Sequence, residues 1–375
     1  MKKVCILTSV HPPLDTRIFH RQAKSLLKAG YDVTLIAQHD RDEIVEGIKI
    51  VALPRARNRF WRILGTCRVF RLARKQKADI YHFHDPELLP WGWLLQKVSH
   101  KPVIYDVHEY YADSIATKYW IPAFLRKLAS VIVDKTEKSV AKRLAGVITV
   151  NPDMASLFAR LNKKTITIYN YPSSEFMNSF NSPRQPQPFT IAYIGSIGKV
   201  RGYQVIVEAM RMVKNKEPRA KCIIVGDVDR AGLPDDFLGN EKRLLREGGV
   251  ELAGKIVYED VPDFLAKAAV ACLPWLPTPN NLKGTPMKLF EYMASGLPVV
   301  ASDMGLIKGF VEEAQCGRLA EPGNPEAHAA AILHLLQHPD EARKMGENGK
   351  RAVRRWYNWE NESKKLVAFY EELTR

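Results

Sequence analysis

The sequence predicts an α/β protein built from two doubly wound parallel-sheet domains that face each other across a cleft. Three observations lead there. Short apolar runs alternate with helix-length segments, a Pro-, Ser-, Asn- and Gln-rich stretch interrupts the alternation near the middle, and the same alternation then restarts. Strands are expected at 4–9, 33–37, 80–83, 103–107 and 147–150, with helices at 17–29 and 123–144 between them. The interruption covers 171–189, where prolines break any ladder and the polar residues have no core to enter. Strands resume at 190–194, 222–225, 250–252, 270–274 and 299–301, and 359–373 reads as a closing amphipathic helix. The expected division is a first domain at 1–170, a linker at 171–189, a second domain at 190–355, and a segment at 356–375 that packs back toward the first. Ligands of such sheets bind beyond the strand carboxyl ends.

Composition fits two globular cores: 375 residues, 46% hydrophobic and 26% charged. The five cysteines stand singly, without Cys-x-x-Cys spacing, which argues against a disulfide framework or a zinc site and suits a reducing compartment. The apolar run after Lys2 and Lys3 stops at His11-Pro12-Pro13 and reads as a first strand rather than a signal peptide. No run approaches the ~18 apolar residues of a membrane span, so a cytoplasmic location is expected, with peripheral attachment to the inner face of the plasma membrane. The net charge of +15 is lopsided. Residues 1–180 hold 29 Lys and Arg against 16 Asp and Glu, and the remainder holds 27 against 25. An anionic surface is the implied partner of the first half. Arg55 to Lys77, where Arg68, Arg71 and Lys75 share a helical face, is the candidate membrane contact, and 119–127 is a second.

The richest stretch for chemistry is 281–303. Gly284-Thr285-Pro286 leads into an apolar-periodic helix beginning at Met287, and Gly296-Leu297-Pro298 ends it. A helix start behind proline directs backbone N–H groups at an anion, and Lys288 adds a formal charge. Glu291, one turn on, has the reach to accept ribose hydroxyls. A second stretch runs from a strand through Gly195, Ser196, Lys199 and Arg201 into a helix near Tyr203. Its glycines allow close backbone approach, but it is not G-x-G-x-x-G and does not indicate a dinucleotide site.

The run KLFEYMASGLPVVAS resembles the signature of family 4 glycosyltransferases, retaining enzymes of the GT-B architecture with two Rossmann-like domains. The resemblance implies transfer of a hexosyl group from a nucleotide diphosphate sugar, UDP- or GDP-linked, to a glycan or glycolipid hydroxyl, with retention, in cell-surface polysaccharide synthesis. It implies no cofactor and no metal. On it, Glu291 contacts the donor ribose, Arg201 and Lys288 the diphosphate, His108 the sugar, and Lys255 and Ile256 the nucleobase. The donor set is completed by Gly195, Ser196, Lys199, Lys283, Thr285, Pro286 and Met287. The family's second glutamate, eight positions before Glu291, is Lys283 here, and its Gly-Arg cation position is Ser196. Asp15 and Arg17, in the loop after the first strand, and His84 are acceptor-side candidates. Asp15 or Thr16 equally suits a helix cap. His82 and His84 alternate on one strand face, yet no third metal ligand stands near them in the sequence. Two other readings stand beside transfer: a sugar-nucleotide epimerase of the same fold, and a basic nucleic-acid-binding protein, for which no reading motif appears.

Overall fold

A computed structural model describes residues 1–116, 121–180 and 187–375. Residues 119 and 120 of the second expected membrane contact, and 181–186 of the expected linker, lie outside the described residues. The chain divides into two compact units, Met1–Asn170 with Asn361–Arg375, and Tyr171–Glu360.

The first unit is built on an eight-stranded sheet. Its strands are β1 Lys3–Leu7, β2 Asp32–Gln38, β3 Glu43–Val45, β4 Ile48–Leu53, β5 Ile80–Phe83, β6 Val103–Val107, β7 Gly146–Thr149 and β8 Thr165–Thr167, in the order β3-β4-β2-β1-β5-β6-β7-β8. Every pairing is parallel except the β3–β4 hairpin at one edge. β1, β5, β6 and β7 are buried along their length after their first residues, as strands covered on both faces must be. The helices Arg59–Gln76, Leu89–Ser99 and Ala123–Ala141 carry the crossovers β4 to β5, β5 to β6 and β6 to β7. Right-handed crossovers in one direction place all three on one face. There Val69, Ala73, Leu95 and Ala141 close over Tyr81, Phe83 and Tyr105. The helix Trp359–Leu373 belongs to this unit from Asn361 onward, and Tyr370 meets His82 at 2.7 Å.

The second unit holds β9 Thr190–Ile194, β11 Lys221–Val225, β13 Val250–Gly254, β14 Val270–Leu273, β15 Val299–Ser302 and β16 Gly317–Ala320, in the all-parallel order β13-β11-β9-β14-β15-β16. A small parallel pair, β10 Ile197–Gly198 with β12 Val228–Asp229, extends the loops at its carboxyl edge. Tyr193, Tyr203, Ile206, Met210, Cys222 and Ile332 form the centre of its core.

Both sheets reverse strand order once near the middle, β1 against β5 in the first and β9 against β14 in the second. At such a reversal the loops after the two neighbouring strands diverge and leave a crevice at the carboxyl edge. Most of the candidate residues follow these four strands, while His108 follows β6 and Lys255 with Ile256 follows β13.

Candidate functional site

In the second unit, β9 ends at Ile194 and Gly195 turns the chain with φ +88°. A Cβ at Gly195 would fall 2.5 Å from Cε and 2.8 Å from Nζ of Lys288, so the glycine makes the space the lysine occupies. Residues 199–201 form one 3₁₀ turn ended by Gly202, φ +77°, where a Cβ would fall 1.8 Å from the carbonyl oxygen of Pro274, beyond β14. The turn is tied to that strand end: Leu276 N–H donates to Val200 O at 3.0 Å, and Asn281 Nδ2 donates to Val200 O and Leu276 O at 2.8 and 2.9 Å.

Two cations converge on one aromatic floor as a result. The Arg201 guanidinium lies 5.3 Å from the Trp275 ring centroid, and Lys288 Nζ lies 5.8 Å from Trp275 and 5.5 Å from Tyr193. Arg201 also donates to Ser196 O at 3.4 Å. Burial, and then the neighbouring Arg201 charge, push the Lys288 ammonium down to about 7, against the opposing pull of Glu291. A positive pair held together at this cost is a site prepared for an anion.

Lys288 stands in the first turn of the helix Met287–Ala294, whose N-cap is Pro286 and which has no side-chain cap. Positive helix-dipole charge therefore adds to the two cations. Tyr292 OH accepts the Ile194 N–H at 2.9 Å and fixes this helix on β9. Glu291 on the same helix is buried. Thr285 Oγ1 is buried without a hydrogen-bond partner, and Lys283 is exposed at the end of the helix Pro279–Lys283. Ser196 and Lys199 are exposed. Lys255 pairs with Asp227 at 2.7 Å beside the half-buried Ile256. Gly195, Arg201 and Lys288 thus come together in direct contact or over one ring.

In the first unit, Asp15 caps the helical turn Thr16–Ala23 by accepting from the N–H groups of Arg17 and Ile18 at 2.8 and 2.9 Å. It also meets His11 Nδ1 at 3.2 Å. Arg17 is buried: Nε and Nη2 clasp Asp106 at 3.0 and 2.8 Å, and Nη1 donates to Ile168 O and Asn170 Oδ1. Gln22 donates to the same carboxylate at 2.6 Å. Burial alone would raise the Asp106 pKa, but the Arg17 charge, with His108 and His82, holds it well below the usual carboxylate range.

The histidines gather round this carboxylate. His82 Nε2 and His84 Nδ1 are each 3.5 Å from Asp106 Oδ2, and His108 Nδ1 is 3.9 Å from Oδ1. Burial lowers the pKa of His82 and His84 against the opposing pull of Asp106, which favours their neutral form. The expectation that no third ligand stands near this pair is corrected: ligand atoms of His82, His84 and Asp106 all lie within 4.8 Å of one another. The reason is register, since β5 pairs with β6 and sets its end beside Asp106. Both Asp106 oxygens are engaged by Arg17. His108 is nearest the surface of the three, edge-on to His11 at 5.6 Å between ring centroids.

Residues 16–171 match the model of "Glycosyltransferase Family 4", and residues 175–352 match that of "Glycosyl transferases group 1". The chain belongs to glycosyltransferase family 4. This glycosyltransferase is 24% identical over 318 residues to an MMP alpha-(1->4)-mannosyltransferase of Mycolicibacterium hassiacum, covering 81% of this chain and 74% of that one. It is 24% identical over 304 residues to the phosphatidyl-myo-inositol mannosyltransferase of Mycobacterium tuberculosis H37Rv, with 78% and 73% covered. A 28% identical match to the D-inositol 3-phosphate glycosyltransferase of Segniliparus rotundus covers 51% of this chain and 41% of that protein. The fold is shared with sucrose-phosphate synthase from Thermosynechococcus elongatus, at TM-score 0.71, 20% identity and coverage of 100% and 99%. It is also shared with Anabaena HepE in complex with UDP-glucose, at TM-score 0.72, 15% identity and coverage of 99% and 100%.

Sequence reasoning missed Trp275, Tyr193 and Asn281 in the second unit, and Asp106 and Gln22 in the first. Asp106 had a usable signal, a carboxylate in an otherwise apolar strand two residues before His108. Trp275 had none beyond its place at a strand end.

Proposed function

We propose that this glycosyltransferase moves a hexosyl group from a nucleotide diphosphate sugar to a hydroxyl of a glycan or lipid-linked acceptor, with retention, at the cytoplasmic face of a membrane. The observation that carries the reading is the pairing of Arg201 and Lys288 over Trp275 at the start of the helix Met287–Ala294. A diphosphate leaving group builds negative charge as the glycosidic bond breaks, and fixed cations with a helix terminus lower that barrier most where charge develops. Glu291 holds the donor ribose, Thr285, Pro286 and Met287 line the approach to the phosphates, and Lys255 with Ile256 flanks the base. Gly195, Ser196 and Lys199 form the phosphate loop. In the first unit His108 addresses the sugar, while Asp15, Arg17 and His84 build the acceptor side through the network centred on Asp106. Lys283, a cation where relatives of this signature carry glutamate, selects the donor sugar. No cofactor or metal takes part. UDP-glucose bound to the HepE neighbour supports a nucleotide diphosphate sugar as the donor, UDP- or GDP-linked. Surface-polysaccharide assembly suits a transferase of this kind.

Thermal-shift titration with UDP, GDP and ADP identifies the base, because a ligand of the native state raises its melting point. Glu291→Ala should abolish the shift given by the matching nucleotide. A full shift in that variant would remove Glu291 from the ribose.

The pH dependence of binding is a second check. Lys288 is half-protonated near pH 7 in the free enzyme, and a bound diphosphate favours its charged form. Nucleotide capture above pH 7 therefore takes up a proton, and affinity should fall as pH rises, approaching about tenfold per unit until the bound-state pKa is reached. Isothermal titration in two buffers of different ionisation enthalpy reads the proton directly, and Lys288→Arg should flatten the profile.

A further inference from the structure

The helix Ala123–Ala141 shows solvent an apolar stripe that no other described helix of the first unit matches. Phe124 is 81% exposed, Leu128 57% and Ile132 55%, with Leu125 and Val131 also exposed. At 100° per residue these five side chains fall within about 120° of arc, so they form one face rather than a scatter. Monomeric proteins rarely leave so continuous an apolar surface uncovered.

Three further observations say what covers it. Lys127 borders the stripe and Lys135 continues it, both exposed, which gives an apolar wedge followed by long cationic stems. The helix Arg59–Gln76, on the same sheet face, repeats the arrangement. Trp61, Ile63 and Leu64 are exposed in its first turns, and Arg68, Arg71 and Lys75 are exposed beyond them. Both helices run antiparallel to the strands they connect, so their apolar first turns lie toward the strand carboxyl edge, the edge that carries His11, His84 and His108.

We propose that these two apolar helix starts, with their basic following turns, form a docking surface for an anionic lipid bilayer, entered by Phe124, Leu128, Ile132 and Trp61. The arrangement joins the expected contacts at Arg55–Lys77 and 119–127 and extends them along the Ala123–Ala141 helix, which supplies the insertion. A second copy of the chain is the wrong occupant. Two-fold pairing of this face would set the Lys127 and Lys135 rows of one copy against their equivalents, whereas a surface of anionic headgroups neutralises them. The +13 balance of residues 1–180 favours the same occupant. A bilayer-borne acceptor would then arrive at the edge where the histidines lie. Docking does not depend on the donor chemistry, and the two are measured separately.

The test is co-sedimentation of the full chain with equimolar phosphatidylglycerol–phosphatidylcholine vesicles, beside vesicles of phosphatidylcholine alone. The wild type should bind the anionic vesicles, with binding weakened by salt. The triple variant Phe124→Ser, Leu128→Ser, Ile132→Ser should lose about tenfold or more of that partitioning, while its melting temperature and its nucleotide-induced shift stay unchanged. Lys127→Glu with Lys135→Glu should remove the preference for anionic lipid. Failure of the wild type to sediment with vesicles overturns the proposal, as does a triple variant that binds like wild type. A wild-type dimer by light scattering that the triple variant converts to monomer also overturns it and assigns the face to self-association.

Discussion

Lys288→Ala should lower kcat/KM by about two to three orders of magnitude, the cost of removing one fixed charge or donor from a developing anion. The loss should appear largely in kcat, because under the proposed function the interaction strengthens as charge moves onto a leaving diphosphate. Lys288→Arg tests geometry against charge. The space above Gly195 is only as large as an ammonium stem requires, so the guanidinium should recover a part of the activity. Lys288→Met keeps the packing over Tyr193 and Trp275 and should be as slow as alanine. A Lys288→Met enzyme with wild-type kcat would show that the charge has no role in the reaction.

The second large effect concerns folding. Asp106→Ala should destabilise the first unit by about 3–5 kcal/mol, since it strands the buried Arg17 guanidinium without its carboxylate. Urea denaturation followed by circular dichroism measures it. Pairing the change with Arg17→Met should recover much of the loss, because the cost lies in the unpaired charge and not in the missing bond. The acid limb follows from the same ion pair. The folded Asp106 pKa is depressed, so its contribution to stability is present above the unfolded carboxylate value near about 4 and is lost as pH falls through the folded value. The Asp106→Ala variant should show a flatter acid limb than wild type.

These two sites differ in how readily the sequence disclosed them. Strand positions came through because each is a short apolar run buried on both faces, and the observed strands lie within a few residues of the expected ones. The edge hairpin β3–β4 escaped notice. It turns on Glu46-Gly47, both at positive φ, and glutamate is an unusual first residue for such a turn. The helix expected at 17–29 begins instead as the π-helical turn Thr16–Ala23 and becomes α-helical over Lys24–Lys28, a change no periodicity reports. Lys288 and Glu291 were visible because four residues of one helix carry them. The ring beneath Lys288 was not, because Trp275 and Tyr193 meet it only when β9 and β14 become neighbours. Likewise, the carboxylate that gathers Arg17, Gln22 and the histidines draws on residues more than eighty positions apart, and only strand order brings them together.

The helix Trp359–Leu373 completes the first unit although the whole second unit precedes it in the chain. His82 finds the Tyr370 hydroxyl there, and Gly146 lies against the Phe369 ring. A ribosome releasing this polypeptide therefore leaves the first sheet, its eight strands already made, without this helix for as long as the second unit takes to be made. Proteolytic separation or a fusion inserted ahead of Trp359 would strand the sheet in the same state. Until that helix emerges, the apolar surface it covers stays open to aggregation and to chaperones.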